Sequence, residues 1–159
     1  KKEPHRMSDA LLETYIKQHI EAHPGKVVNF SWHGGEPTIL GLDYFQKVVA
    51  LQRKHLPPDR LVTNGIQTNG TLLDEAWCRF LSKEKFTVGI SLDGPEDLHD
   101  LYRITTHGSP THRKVMRGYH LLSKHKIIPE VLCVVNAHNV LYPLQVYRFF
   151  KEIFQEKFA

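Results

Sequence analysis

Apolar positions along this chain alternate between two periods. Over residues 8–22 they fall at 11, 12, 15, 16 and 20, one helical face with Ser8 placed to cap it. Pro24-Gly25 ends that stretch, and residues 27–32 read as a buried strand. The helical period returns over 42–56 with Leu42, Phe45, Val48, Val49 and Leu51, and Pro57-Pro58 stops it. Residues 63–68 form a weaker strand ended by Asn69-Gly70. Asp74 caps a helix that turns Trp77, Phe80 and Leu81 inward. Residues 86–92 read as a strand closed by Asp93-Gly94-Pro95, then a short helix over 96–102. Thr111 caps a helix with Val115, Tyr119 and Leu122 inward, and 131–135 is the last strand. Pro143 opens a final helix carrying the apolar stripe Leu144, Tyr147, Phe150 and Phe154. The loop over 105–110 is expected to be the most flexible segment.

One helix followed by four strand-helix units predicts an α/β fold with a parallel sheet and right-handed crossovers. The 159 residues are read as a single domain, 1–159, with no internal boundary. An open doubly wound sheet and part of a (β/α) barrel both fit. The polar residues favour the barrel: His33 to Glu36, Gln67 to Asn69, Ser91 to Asp93 and Asn136 all follow or end successive strands, which in a barrel share one rim. Four strands cannot close a barrel, so it would be open or truncated. Its first strand would present a bare edge, and association through that edge or marginal stability is expected.

Composition narrows the classes. Apolar residues are 41% and charged residues 24%, which excludes bulk disorder. The net charge of +4 is scattered among acidic residues, and neither nucleic acid nor membrane is expected as a partner. No signal peptide is visible, because no apolar stretch follows Lys1-Lys2-Glu3-Pro4. Two cysteines, Cys78 and Cys133, fit a reducing cytoplasmic setting and read as apolar core residues. They are too few for an iron–sulfur cluster from this chain alone. His19 and His23 share a helical spacing but lack a metal motif, so they read as surface residues. His5, His107, His112 and His138 carry no spacing signal.

Chemistry concentrates at the strand ends. In His33-Gly34-Gly35-Glu36-Pro37 the glycines let a ligand approach the backbone, and Glu36 can accept from an ammonium group. Gln67 lies within a strand, where its amide either ends in a turn or meets a ligand. Asp93 alone reads as a helix cap. Arg103 reads either as half of a surface ion pair or as a carboxylate clamp. Asn136 either ends its strand or contacts a ligand.

Five ordered strings carry a resemblance: W-H-G-G-E-P-T-I-L-G-L-D, Q-T-N-G-T-L-L-D-E-x-W-C, V-G-I-S-L-D-G-P-x-x-L-H-D-x-Y-R, L-C-V-V-N and P-L-x-V-Y-R-F-F-K-E. From about Met7 onward the chain resembles radical S-adenosylmethionine enzymes, and within them the anaerobic sulfatase-maturating branch of the SPASM group. The resemblance implies a partial (β/α)6 barrel, truncated here to about four parallel strands with flanking helices. It implies S-adenosylmethionine and a [4Fe–4S] cluster as cofactors. It also implies a sulfatase polypeptide as substrate and reduced flavodoxin or a ferredoxin-type protein as electron donor. The implied reaction uses a 5′-deoxyadenosyl radical to oxidise a Cys or Ser to Cα-formylglycine. Carried onto this chain, Gly34, Gly35, Glu36, Asn69, Ser91 and Arg103 correspond to cofactor-binding positions, and His33, Gln67 and Asn136 to substrate-side positions. The family's C-x3-C-x2-C motif does not occur in this sequence. The resemblance puts the cluster ligands before Lys1, and the expected acidic base and further cysteines after Ala159. This chain alone is therefore expected to be inactive. The alternatives are another SPASM-type peptide maturase and, in a different class, a non-catalytic α/β module that binds an adenosyl or amino-acid ligand.

Overall fold

The apolar runs fold into a sheet and the helical stripes pack against it. The computed structural model describes residues 6–155. Strands β1 (Val27–Trp32), β2 (Leu61–Thr68), β3 (Thr87–Ser91) and β4 (Glu130–Leu132) form one parallel sheet in the order β1-β2-β3-β4. Helix α1 (Asp9–Ala22) precedes β1. The crossovers carry α2 (Leu42–His55), α3 (Glu75–Lys83) and α5 (His112–Lys124). A single turn, α4 (Glu96–His99), follows β3, and α6 (Pro143–Gln155) follows β4.

The strand order settles the architecture. A doubly wound sheet reverses direction at a switch point, whereas here each strand adds beside the last. Alternate residues Val28, Phe30, Ile66, Val88 and Ile90 are buried with helix residues in one core. The intervening positions, Asn29, Ser31, Thr63, Gln67, Thr87, Ser91 and Glu130, are half-buried or exposed. Helices thus cover one face of the sheet, and small polar residues line the other, which is the arrangement of an incomplete barrel.

Two interlocks hold the register. Asn64 on β2 and Gln52 on α2 exchange reciprocal amide bonds of 2.9 Å, both side chains buried, and Trp32 Nε1 donates to Asn64 Oδ1 at 3.0 Å. Buried amides cost stability unless paired, so this trio pins β1 to β2 at Trp32, the last residue of β1. The second interlock is a close approach. A Cβ on Gly118 of α5 would lie 2.5 Å from the Gly70 carbonyl oxygen.

Several expectations change. β2 begins at Leu61, two residues earlier than its apolar pattern predicts, because Val27 and Leu61 pair in register and Leu61 N donates to Lys26 O at 2.8 Å. β4 ends at Leu132, short of residue 135, because Val134 N turns away to donate to Asp93 Oδ1. Val134 and Val135 are exposed, and Cys133 is only half-buried rather than core. On α6 the packed stripe is Val146, Phe149, Phe150 and Ile153, while Leu144, Tyr147 and Phe154 are exposed. The period was right and the phase was not: Tyr119 on α5 donates its hydroxyl to Ile153 O and fixes the rotation of α6. Loop 105–110 closes through Thr105–Ser109 hydrogen bonds and an Ile104–Pro110 bridge. At the middle of the β1 edge His19 Nε2 lies 2.9 Å from Asn29 O. His112 is buried, whereas His5 lies outside the described residues.

Candidate functional site

The strand ends converge as the barrel reading requires. After β1 the chain needs a turn that L-residues rarely adopt, and Gly34 (φ +96°) and Gly35 (φ +32°) supply it. A Cβ built on either meets nothing within 4 Å, so the space beside the backbone is open. This turn, with His33, Trp32 and Met7, lines a cavity of about 410 Å³. His33 is exposed at its mouth.

Glu36 closes the turn. Its Oε1 accepts from Thr38 N (3.1 Å), Thr38 Oγ1 (2.6 Å) and Thr68 Oγ1 (2.6 Å), and its Oε2 accepts from Asn69 N (2.7 Å). Every one of these donors is neutral, and among the described residues Glu36 joins no ion pair. The carboxylate therefore has no cationic partner among the described residues, and Oε2 keeps an open lone pair. Asn69 itself forms a local turn, its Oδ1 accepting from Thr71 N and Thr71 Oγ1.

On the open face of the sheet Gln67 and Ser91 meet. Gln67 pairs in register with Gly89, and a Cβ there would lie 1.9 Å from Gln67 Oε1. That missing side chain lets the Gln67 amide reach across the sheet and donate to Ser91 Oγ at 3.1 Å.

Arg103 sits after α4. Its Nε and Nη2 donate to Asp93 Oδ2 (2.6 Å) and Oδ1 (3.0 Å), and the Asp93 side chain is 4% exposed. Asp93 is therefore an arginine partner and not a helix cap; α4 has Pro95 at its N-cap position, with no side-chain cap bond. The guanidinium edge facing away from Asp93 keeps its Nη1 donors for a ligand. Behind it lies a buried brace. Asp93 N donates to His99 Nδ1 at 3.1 Å, His99 Nε2 lies 3.1 Å from Thr111 Oγ1, and Thr111 Oγ1 donates to Arg103 O. Because Nδ1 accepts, the neutral ring carries its proton on Nε2. Burial pushes His99 down from 6.5 to about 4, with His112, at 5.4 Å between ring centres, adding to the effect. Burial likewise lowers His112, whose Nε2 has no partner. Thr111 does not cap α5 with its hydroxyl. Asp100 Oδ1 does so, accepting from Thr111 N and His112 N at 2.8 Å each.

Asn136 is engaged in its own turn. Its Oδ1 accepts from His138 N and Asn139 N at 3.0 Å in its own turn. Sequence reasoning missed Thr38, Thr68, His99 and Asp100. All four lay inside quoted strings as unremarked neighbours, and the spacing of His99 and Asp100 carries no signal because their partners lie on other segments, Asp93 before them and Thr111 and His112 after.

Comparison with known proteins gives the family. The Radical SAM superfamily profile matches residues 1–142. A serine-type anaerobic sulfatase-maturating enzyme of Bacteroides thetaiotaomicron is 45% identical over 149 residues, 94% of this chain and 36% of that protein. A cysteine-type anaerobic sulfatase-maturating enzyme of Clostridium perfringens is 42% identical over 146 residues, 92% of this chain and 39% of that protein. A solved structure described as native anSMEcpe with bound AdoMet superposes with a TM-score of 0.91 at 41% identity, over 96% of this chain and 42% of that one. The chain thus spans well under half the length of these relatives. With the family profile running from the first residue through β4 and the fold shared at this identity, the chain belongs to the radical SAM superfamily.

Proposed function

We propose that this chain is the S-adenosylmethionine-binding part of an anaerobic sulfatase-maturating enzyme, which oxidises a Cys or Ser of a sulfatase to Cα-formylglycine. One observation carries the reading. Glu36, an unpaired carboxylate held by four neutral donors, stands beside two positive-φ glycines whose Cβ positions are empty. A cation presented by a backbone-sized group fits there, and an α-ammonium is such a group.

The remaining assignments follow from donor chemistry. Gly34 and Gly35 offer backbone groups to the methionine end. The free edge of Arg103 suits its carboxylate, and Ser91, held by Gln67, offers a hydroxyl. Asn69 Nδ2 is open toward a ribose, since only Oδ1 is committed. His33, exposed beside the glycines, is assigned to the substrate peptide with Gln67. Asn136 is the weakest fit, because its carbonyl oxygen is spent within its own turn. Gly34, Gly35, Glu36, Ser91 and Arg103 would hold S-adenosylmethionine, which with one electron from a [4Fe–4S] cluster would supply hydrogen-abstracting radical chemistry; among the described residues no group of side chains could hold that cluster. The electron source is assigned to a flavodoxin or ferredoxin type, and the setting to a reducing cytoplasm. Among the described residues no helix is long and apolar enough to cross a membrane.

The test uses the full-length protein reconstituted with iron and sulfide and given a Cys-x-Pro-x-Arg peptide under reducing, anaerobic conditions. Formylglycine in the peptide, read by mass spectrometry, is expected. Cleavage of S-adenosylmethionine with no formylglycine would move the assignment to another peptide maturase. Both serine-type and cysteine-type enzymes are similar to this chain, so a matched Ser-x-Pro-x-Arg peptide belongs in the same assay.

A further inference from the structure

The glycine turn after β1 and the Thr68-Asn69-Gly70 segment after β2 form one device. We infer that Thr68, with Thr38, is a positioning residue that aims Glu36 Oε2 at the ligand's ammonium and so decides that a ligand with an amine is preferred. The inference rests on the proposed binding of S-adenosylmethionine at this turn and concerns how the selectivity arises.

The hydrogen-bond directions support it. Both threonines are buried, Thr68 at 2% and Thr38 at 3% exposure. Gly70 N donates to Thr68 Oγ1 at 3.0 Å, which commits that oxygen as an acceptor and turns its proton toward Glu36 Oε1, 2.6 Å away. Thr38 brings its own N–H and hydroxyl to the same oxygen. Oε1 is thus saturated by three donors, while Oε2 has one, from Asn69 N. An oxygen with three donors has no capacity for a fourth partner, so a cation arriving in the cavity can be met only by Oε2. A carboxylate free to rotate would offer either oxygen, or turn both toward water. Here one oxygen anchors the group and the other is presented, without loss of side-chain freedom when the ligand binds.

The position of Thr68 is itself set from α5. Gly70 (φ +72°) carries the N–H that orients the hydroxyl, and its carbonyl lies against Gly118, with Ile90 and Val115 filling the space a side chain would need. The contact between α5 and the β2–α3 turn therefore ends at the charge presented to the ligand.

The experiment titrates the cluster-free chain with S-adenosylmethionine and with its deaminated analogue, in which hydrogen replaces the ammonium, by ligand-observed NMR up to millimolar concentration. Without iron, Glu36 and the turn are the anchors that the described residues offer the amine. The wild type is expected to prefer the amine. Thr68→Val keeps the shape but removes the donor to Glu36 and the acceptor of Gly70 N, and should cut that preference about tenfold, as expected for losing a hydrogen bond to a charged group. Affinity for the deaminated analogue should stay unchanged, which also verifies that the variant is folded. Thr68→Ser should restore the preference. An undiminished preference in Thr68→Val, with the analogue still bound, overturns the positioning role. A wild type that binds neither ligand, or both equally, overturns the cofactor reading on which it rests.

Discussion

Lowering the pH from 7 to 5 should cost this chain stability through His99, the buried ring behind Asp93 and Arg103. His99 is fully buried, accepts from Asp93 N on Nδ1 and faces Thr111 Oγ1 with Nε2. A proton on Nδ1 would point at the Asp93 N–H, so protonation must break that bond. Burial is the largest cause of its lowered pKa, His112 and Arg103 add to it, and Asp100 and Asp93 oppose it, leaving His99 at about 4 against 6.5. The sign follows from proton affinity. The unfolded ring binds its proton first as pH falls, so this contribution is complete above about pH 7 and shrinks from 6.5 down to 4. Between pH 7 and pH 5 the loss is about 2 kcal/mol, since each unit of pKa difference is worth ~1.4 kcal/mol. Urea unfolding at pH 7, 6 and 5 reads it, with a fall in midpoint of about 1 M for a chain of this size. His99→Gln retains an acceptor and a donor but cannot titrate. The difference in pH slope between wild type and variant isolates His99, because the other titrating groups remain in both. Equal slopes, within about 0.5 kcal/mol over this range, would refute a buried neutral His99.

Other substitutions test the frame around the site. Gly118→Ala places a Cβ 2.5 Å from the Gly70 carbonyl, a backbone atom with little room to yield. It should destabilise by about 1–3 kcal/mol in thermal unfolding despite the better helix propensity of alanine. Asn64→Ala strands the Gln52 amide and the Trp32 indole N–H, and a loss of about 2–4 kcal/mol is expected by urea titration, with a shift in Trp32 fluorescence. Asp93→Asn removes the charge paired with Arg103 and should cost about 2–4 kcal/mol, reduced from the fully buried case because Arg103 is 25% exposed. A variant as stable as wild type would place that pair among the inconsequential surface bridges. Gly35→Ala meets no atoms, so its stability cost should be only the ~1–2 kcal/mol of positive-φ strain; a loss much above that by urea titration would contradict the open geometry.

Local chemistry made much of this protein legible. Ser8 and Asp74 cap their helices as their positions predict, with Leu11 N and Trp77 N as donors. β1 lies where its short apolar run put it, and the strand-helix alternation called for a parallel sheet. The glycine turn was readable because positive φ is a property of the residue itself. What escaped were rotations and ends that depend on distant partners. The phase of α6 is decided by Tyr119 reaching Ile153 O, and the end of β4 by Asp93 drawing Val134 N out of the ladder.

The same division runs through the site. The sequence by itself determined which groups stand at the strand ends, since period and turn chemistry act over a few residues. It could not determine what each group does there. Asp93 reads as a cap until Arg103 folds back onto it, and Arg103 reads as surface charge until a fully buried histidine and Thr111 hold its backbone. Glu36 was visible as a carboxylate beside glycines. That one of its oxygens is saturated and the other open depends on Thr68 and Asn69, 32 and 33 residues away. Only the tertiary structure decides such things, because hydrogen bonds saturate and point in one direction, and sequence spacing records neither property.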